Sequence, residues 1–253
     1  LHSFTVGAPL SFLDHHLKPG NSLIGSRVDA VVDAIKTDLF GNIRGEILRG
    51  TKFLQDAAFN ADATPEDVAD SAAAFRAYQD KMRPYKRLLD LWTSQHFGND
   101  MGRTLVRDYA REVIDAHKTG DGAILDAQRE TVDTAERLSA EKRVFHWELE
   151  FPEVFYELDP PGERDNPGFD AVIGNPPYVR MEEFKDQKTY LKQSYQVHAE
   201  RTDLYGYFIE QALRLVADER RLGYIVSNKW MRANYGRPIQ TLIEETATAR
   251  RVV

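Results

Sequence analysis

The stretch Phe169-Asp170-Ala171-Val172-Ile173-Gly174-Asn175-Pro176-Pro177-Tyr178 decides the fold class of this chain. Its first part, residues 169–174, is mostly apolar, prone to β structure and followed by turn formers, which predicts a buried strand that ends at Gly174. Residues 175–178 then lie at the carboxyl end of that strand. Because ligands bind at this end of the strands in an open α/β sheet, the sequence predicts a functional site there.

The side chains of this tetrapeptide suit the chemistry of a planar amine such as that of adenine. The side-chain oxygen of Asn175 and the backbone carbonyl of Pro176 can accept the two amine hydrogens, which localises the nitrogen lone pair in the transition state. Pro176 and Pro177 restrict the backbone and hold both acceptors in place. Tyr178 offers a flat face for a base extruded from a duplex. A proline-rich turn that only leaves the strand is the alternative interpretation.

The order Gly-Asn-Pro-Pro-Tyr after a hydrophobic strand resembles the catalytic motif of amino-methyltransferases that use S-adenosylmethionine. Two flanking segments narrow this resemblance, namely Phe145-His146-Trp147-Glu148-Leu149-Glu150-Phe151-Pro152-Glu153-Val154-Phe155 and Ser227-Asn228-Lys229-Trp230. They are similar to the large adenine-specific DNA methyltransferases of type IIG restriction-modification and of BREX-type phage defence. The resemblance extends over residues 1–25 and 145–253, and over the middle only as a helical insertion of similar kind.

The resemblance implies an α/β fold, a partial Rossmann-like class I methyltransferase sheet interrupted by a long all-helical insertion. Residues 1–25 would end the cofactor-binding half, residues 26–145 would be the insertion, and residues 146–253 would be a catalytic half that is truncated at its end. Gly120-Asp121-Gly122 follows a charged helical stretch and not a strand, which indicates an interhelical turn and not the family's cofactor loop. We therefore expect a fragment whose cofactor loop lies upstream of Leu1.

The resemblance also implies a reaction and its participants. S-adenosylmethionine would donate a methyl group to the exocyclic amine of a flipped-out adenine in double-stranded DNA. A restriction or specificity module would reside on the same or another chain. Residues 175–178 carry over as the catalytic motif. Asn21, in Gly20-Asn21-Ser22-Leu23, stands where the family usually has Asp and is expected to bind the cofactor's adenine, although it also suits a simple turn.

Further residues are candidate substrate-binding groups, namely Asn228, Lys229, Trp230 and Arg180. The first three follow a strand predicted over residues 221–227, where they share a sheet edge with the tetrapeptide or form a plain strand-end turn. Arg180 belongs to residues 179–201, a loop in which basic side chains alternate with Tyr190, Tyr195 and His198. This pattern suits phosphate contact and base stacking. Acidic residues nearly balance the loop's charge, so a solvated mobile loop is the alternative.

Helical periodicity dominates residues 26–145. Apolar residues recur at helical spacing at Val28, Val31, Val32, Ile35 and Leu39. Thr64-Pro65-Glu66-Asp67 supplies an N-cap, a first-turn proline and acidic residues, which predicts a helix that runs towards Trp92 with a bend or break near Pro84. Two more helices are predicted over residues 103–117 and 121–143.

The pattern becomes alternating strand and helix after residue 145. A helix that begins at Thr202-Asp203 is predicted to bury one face, made of Leu204, Phe208, Ile209, Ala212, Leu213 and Val216. A second strand is predicted over residues 221–227, a helix over residues 238–245, and a third strand over residues 250–253. Strand, helix, strand, helix, strand implies parallel pairing with right-handed crossovers.

Composition narrows the class of protein. The net charge is −7, but the residues after Tyr178 carry more basic than acidic side chains, so a DNA contact is expected on that later part. The chain contains no cysteine, which excludes disulfides and cysteine-bound zinc. No apolar run has the length of a membrane span, and no signal peptide opens the chain. We therefore expect a cytoplasmic protein without membrane partners.

Other functions fit parts of the sequence. The same acceptors suit an amino-methyltransferase that acts on RNA or on a protein glutamine amide, and an inert fragment that only binds DNA or another subunit is also open. Asp170 with Glu183 and Lys185 imitates a metal-dependent nuclease pattern, but such triplets are common by chance. The neighbouring His15 and His16 would diverge in an extended segment, so a shared metal is not expected.

Overall fold

The computed structural model describes residues 17–35, 45, 65–100, 103–114, 126–158, 161–180 and 183–249. The chain divides into two compact units. Unit 1 comprises residues 1–21, 25–95 and 99–164, and unit 2 comprises residues 22–24, 96–98 and 165–253. The domain boundaries proposed from the sequence, at residues 25 and 145, remain predictions.

Unit 1 is mainly helical. Its helices are, in chain order, α1 (Val28–Ile35), α2 (Pro65–Ser94), α3 (Arg103–Ile114), α4 (Arg129–Lys142), α5 (Trp147–Glu150) and α6 (Pro152–Phe155). An antiparallel hairpin follows, made of β1 (Tyr156–Leu158) and β2 (Pro161–Glu163). This hairpin has no clear signal in the sequence, because its strands are only three residues long and β2 opens with the poor strand formers Pro and Gly.

The core of unit 1 confirms the helical periodicity of the first helix. Val28, Val31 and Val32 are buried on α1. They join one hydrophobic cluster with residues of α2 and α3, including Tyr78, Met82, Leu88, Leu91, Val106 and Tyr109. Full burial of an apolar side chain of this size contributes roughly 1.5–3 kcal/mol. Leu39, which the same pattern included, lies outside the described residues.

Of the bend or break predicted near Pro84, the break is wrong, because α2 runs through Pro84 as one helix. Proline removes one backbone hydrogen bond, but its fixed φ is compatible with a helix. Burial on both sides of the proline favours continuity, because Tyr78 and Met82 precede it in the core and Leu88 and Leu91 follow it. Tertiary packing therefore outweighs the local cost of the proline.

The two helices expected after α2 are present, although residues 115–125 of the predicted ranges lie outside the described residues. Helix α3 ends at Ile114, and α4 begins at Arg129 after a short 3-10 turn over Asp126–Gln128. The Gly120-Asp121-Gly122 segment lies outside the described residues.

A buried polar network joins distant parts of the sequence of unit 1. The Asp90 carboxylate accepts hydrogen bonds from Lys86 Nζ at 2.9 Å, Ser139 Oγ at 2.6 Å and His146 Nε2 at 2.9 Å. Because the Ser26 backbone N–H donates to His146 Nδ1, at 3.0 Å, the other ring nitrogen carries the proton that Asp90 accepts. Asp90 and His146 are both almost fully buried, so this network fixes α2 against the segment after α4.

Unit 2 is built on a parallel pair of strands. Its elements are β3 (Phe169–Gly174), α7 (Lys188–Ser194), α8 (Leu204–Leu215), β4 (Val216–Tyr224) and α9 (Arg237–Thr246). Strands β3 and β4 pair in parallel, with Gly174 opposite Tyr224, and α8 lies between them in the chain. The predicted strand, helix and parallel strand order is therefore confirmed for this part. The third strand predicted at residues 250–253 lies outside the described residues.

Strand β4 begins and ends earlier than predicted. It starts at Val216, which the sequence analysis assigned to the helix, and it ends at Tyr224 instead of Ser227. The pairing has an irregularity, because Phe169 faces Val216 whereas Ala171 faces Arg221. Glu219 has a φ of 61°, so a local bulge absorbs the extra residues. Periodicity cannot reveal a helix that passes directly into a bulged strand.

Strand β3 is not buried, which corrects the prediction from its apolar run. Ile173 is 82 % exposed, and Ile225, just after β4, is 70 % exposed. A Cβ placed on Gly223 would lie 3.7 Å from Ile173 Cγ2, so these positions share one face of the sheet. In the described part of the chain, β3 pairs with β4 alone, and nothing covers this face.

The buried face of α8 differs in part from the predicted one. Ile209 and Ala212 are buried as expected, whereas Leu204, Phe208 and Leu213 are only partly buried. Other residues complete the buried set, namely Tyr205, Gly206, Tyr207, Glu210 and Leu215. The helix is packed on more than one side, because a Cβ on Gly206 would come within 2.9 Å of Ile239 on α9. A single amphipathic stripe therefore does not describe it.

No helix within the described ranges is long and apolar enough to cross a membrane.

Candidate active site

The tetrapeptide follows β3 directly, at the carboxyl end of the parallel pair. The Ile225 backbone N–H donates to the Gly174 carbonyl at 3.1 Å, which extends the ladder to the start of the motif. Asn175 is exposed, and within the described residues its side chain makes no hydrogen bond. Pro176 is buried and anchors the turn, while Pro177 is exposed. The arrangement holds a rigid backbone in place and leaves the Asn175 amide oxygen available as an acceptor.

The Tyr178 side chain is oriented by a hydrogen bond of its hydroxyl and by a contact of its ring. The hydroxyl donates to the Ile225 carbonyl at 3.1 Å, and the ring lies 6.3 Å from the ring of Tyr205 at an angle of 52°. More than half of the side chain, 55 %, remains exposed. An exposed aromatic side chain with a fixed hydroxyl is suited to stacking against a flat ligand.

The start of α8 holds the carboxyl end of the motif. The Leu204 backbone N–H donates to the Val179 carbonyl at 3.0 Å. Tyr205 is buried, and its hydroxyl lies 3.1 Å from that of Tyr235. Burial raises the pKa of Tyr205 well above its usual value, and the hydrogen bond to Tyr235 adds to this effect, so Tyr205 stays a neutral phenol. No motif in the sequence marks Tyr205 or Tyr235 as part of the site.

The residues after β4 lie at the same sheet edge as the motif, because the two strands are parallel. Asn228 and Lys229 are exposed, so both side chains are accessible to a ligand. Trp230 is only 8 % exposed, and its indole N–H has no hydrogen-bond partner among the described residues. Gln240 Nε2 donates to the Trp230 carbonyl at 3.0 Å. A Cβ on Gly236 would lie 1.8 Å from that carbonyl oxygen, so only glycine suits this close approach.

The described residues after the motif are not a loop throughout. They contain a 3-10 turn over Lys185–Gln187 followed by α7. Tyr190 is buried and stacks on Phe97 at 5.7 Å, and the buried Tyr195 hydroxyl donates to the Leu23 carbonyl at 2.8 Å. Base stacking on Tyr190 or Tyr195 is therefore a wrong prediction. The segment's basic side chains are exposed, namely Arg180, Lys185, Lys188, Lys192 and Arg201.

Glu210 holds this segment against α8. Its carboxylate accepts the backbone N–H groups of Gln196 at 3.1 Å and Val197 at 2.9 Å, and it pairs with Arg214. His198 Nδ1 lies 2.7 Å from the Tyr207 hydroxyl. Partial burial and the nearby ammonium groups of Lys188 and Lys192 lower the pKa of His198. His198 is therefore a neutral hydrogen-bonding group at physiological pH and not a phosphate-binding cation.

Asn21 belongs to unit 1, where it forms an isolated parallel bridge with Val144. Its backbone N–H donates to the Arg143 carbonyl at 2.7 Å. Gly20 before it packs closely on Phe145, because an added Cβ would lie 2.1 Å from Cδ2 of that ring. Asn21 is partly exposed, and its role toward a cofactor stays a prediction.

The nuclease-like pattern has no support in the described residues. Asp170 is 90 % exposed and pairs with Arg220 at 2.9 Å. Within the described ranges, no group of three or more His, Asp or Glu side chains is placed to hold a metal ion. His15 and His16 lie outside those ranges.

Comparison with known proteins identifies the family. Residues 46–253 match the Eco57I restriction-modification methylase family, and the chain belongs to this family. Over 87 residues, 34% of the chain, it is 38% identical to the type II methyltransferase M.BstVI of Geobacillus stearothermophilus, and it covers 15% of that protein. Over 78 residues, 30% of the chain, it is 38% identical to M.PaeR7I of Pseudomonas aeruginosa and covers 14% of it.

A further relative carries two functions in its name. The chain is 28% identical to the type II restriction enzyme and methyltransferase RM.Eco57I of Escherichia coli, over 34% of the chain and 9% of that protein. The chain thus spans less than a sixth of the length of these curated relatives. No solved structure matches it significantly.

Proposed function

We propose that this chain is part of a site-specific DNA adenine N6-methyltransferase of a restriction-modification system, which would also serve in phage defence. The observation that carries the proposal is the exposed Asn175 amide at the end of β3, which has no partner among the described residues and is followed by a buried proline and an oriented tyrosine. The names of the relatives support methyl transfer, and the motif supports an amine as acceptor. We further propose that β3 and β4 belong to a Rossmann-like class I methyltransferase sheet and that α8 is the helix that connects them.

The motif residues would bind and orient the target base. Asn175 Oδ1 and the Pro176 carbonyl would accept the two hydrogens of the adenine amine, and the Tyr178 ring would stack on the flipped base. S-adenosylmethionine, when bound, supplies a methyl group on a positively charged sulfur. The amine nitrogen would form a bond to the methyl carbon as the carbon–sulfur bond breaks, and the sulfur would retain that electron pair. The surplus amine proton would pass to water afterwards.

The remaining candidate residues fit supporting roles. Asn21 has a polar side chain that is partly exposed, which fits a hydrogen bond to the cofactor's adenine. Arg180, Asn228 and Lys229 are exposed around the motif and would contact the DNA backbone or the target base. The buried Trp230 would support the turn that presents Asn228 and Lys229. A restriction module, as in the name of RM.Eco57I, would act with this chain.

Two other functions use the same residues. An amino-methyltransferase for RNA or for a protein glutamine amide would use the same two acceptors, because both targets are planar amines. An inert module would bind DNA or another subunit through its exposed basic residues alone. Affinity for S-adenosylmethionine distinguishes the inert module from the two methyltransferases. The molecule that receives the methyl group distinguishes the DNA methyltransferase, the first function, from the RNA or glutamine methyltransferase, the second.

We expect the full-length protein to bind S-adenosylmethionine in isothermal titration calorimetry. It should then transfer tritiated methyl groups from this cofactor to duplex DNA, and not to RNA or to a glutamine-containing peptide. Absence of cofactor binding by the full-length protein would contradict the methyltransferase proposal. Transfer to RNA or peptide alone would favour the second function.

A further inference from the structure

The residue that follows helix α4 has a strained backbone. Arg143, the first residue past the helix, has φ 54° and ψ 46°, and its N–H donates back to the Ala140 carbonyl at 3.2 Å. Glycine usually occupies this left-handed position after a helix, because a Cβ is unfavourable there. An arginine at this position therefore costs stability that a glycine would not.

Arg143 lines a basic cavity whose lining residues all belong to unit 1. The cavity has a volume of about 580 Å³ and lies beside α2 and α4. Its charged lining consists of Arg83, Lys86, Arg87, Arg143, Asp90 and Glu136. Four cationic and two anionic side chains leave a formal excess of positive charge in a space of the size that small ligands occupy.

Among these cations, Arg143 stands out. Lys86 pairs with Asp90 at 2.9 Å, Arg87 pairs with Glu136, and Arg83 pairs with Asp80 at 2.8 Å. Arg143 is exposed and makes no side-chain ion pair or hydrogen bond with any described residue. Its guanidinium thus remains available to a ligand, and the flanking ion pairs hold the other cations in position.

We propose that this cavity binds a phosphate group, with Arg143 as its principal ligand. A guanidinium presents two parallel N–H groups that match the oxygens of a phosphate. The phosphate could come from the DNA backbone or from a free phosphorylated molecule, since both present the same oxygens. The site is independent of the amine-binding motif, so its failure would leave the proposed methyl transfer untouched.

Replacement of Arg143 by glycine tests this site without damage to the fold. Arg143→Gly removes the guanidinium and suits the left-handed backbone, so the thermal midpoint of the full-length protein should stay the same or rise. Arg137→Gln is the matched control, because Arg137 is an exposed α4 arginine that pairs with Glu141 at 3.6 Å and does not line the cavity. Binding is measured for pyrophosphate by calorimetry and for a non-specific DNA duplex by fluorescence anisotropy at several salt concentrations.

The two probes distinguish the sources of the phosphate. If the ligand is the DNA backbone, Arg143→Gly should bind duplex roughly 5- to 10-fold more weakly, with a salt slope that is smaller by about 0.9, and Arg137→Gln should change much less. If the ligand is a free phosphorylated molecule, Arg143→Gly should lose pyrophosphate binding and retain duplex binding. Unchanged binding of both probes, or equal losses in Arg143→Gly and Arg137→Gln, would overturn the proposal.

Discussion

Asn175→Ala in the full-length protein is expected to reduce methyl transfer to DNA by roughly 100- to 1000-fold, the usual effect of removing one preorganised polar group from a transition state. Asn175 is exposed and makes no hydrogen bond within the described residues, so its removal should not disturb the fold. The affinity for S-adenosylmethionine should remain, because Asn175 acts on the target amine. Initial rates with tritiated cofactor and calorimetry with the unlabelled cofactor measure the two quantities.

Asn234→Ala provides a matched control for this substitution. Asn234 is also exposed, belongs to the same unit and has no proposed contact with base or cofactor. Its replacement should leave the rate within about twofold, since surface substitutions away from special features have small effects. A full rate for Asn175→Ala, or an equal loss in both variants, would refute the assigned role of Asn175.

The second large expected effect concerns stability. Asp90→Ala should lower the free energy of unfolding of unit 1 by roughly 2–6 kcal/mol, because each of two buried donors that loses its acceptor costs about 1–3 kcal/mol. The substitution leaves the buried His146 and Ser139 groups without their acceptor. Urea denaturation followed through Trp92 and Trp147, which both lie in unit 1, measures the change.

Asp80→Ala is the control for Asp90→Ala. Asp80 lies on the same helix and pairs with Arg83, but its side chain is 69 % exposed. An exposed pair of this kind contributes less than about 1 kcal/mol. If Asp90→Ala were as mild as Asp80→Ala, the buried network would not stabilise unit 1 as described.

The effect of Asp90 on stability should depend on pH. Burial raises the pKa of this carboxyl, but the hydrogen bonds from His146 and Ser139, with the charge of Lys86, outweigh burial and hold the pKa below its usual value. A lowered pKa adds stability above the usual value of about 3.9, and this stability is lost as the pH falls below it. The gap between the native sequence and Asp90→Ala should therefore shrink between about pH 5 and pH 3.

The sequence predicted local order well because local order has local causes. The apolar run at residues 169–174 and the Thr202-Asp203 helix start were enough to predict β3, α8 and their parallel crossover. The position of Asn175 at a strand end followed from the same pattern. Proline and acidic residues near Pro65 likewise marked the start of α2.

Other features depend on contacts between distant residues. The sequence around Asp90 does not indicate that Asp90 contacts His146. His146 in turn contacts Ser26, 120 residues away in the sequence. The sequence around Tyr190 is the same whether its ring stacks on a base or on Phe97. Only the structure shows that the ring stacks on Phe97. The exposure of Ile173 could not be predicted either. An apolar run indicates a strand that favours burial, but it does not show whether another element covers that strand.

The central claim, that residues 175–178 direct methylation to the exocyclic amine of adenine, is tested most directly by the chemical product. The full-length protein should be incubated with S-adenosylmethionine and duplex DNA, and the DNA should be digested to nucleosides for mass spectrometry. The account predicts N6-methyladenine, present with the native sequence and nearly absent with Asn175→Ala. Methylated cytosine in place of methylated adenine, or N6-methyladenine at the same level with Asn175→Ala, would contradict it.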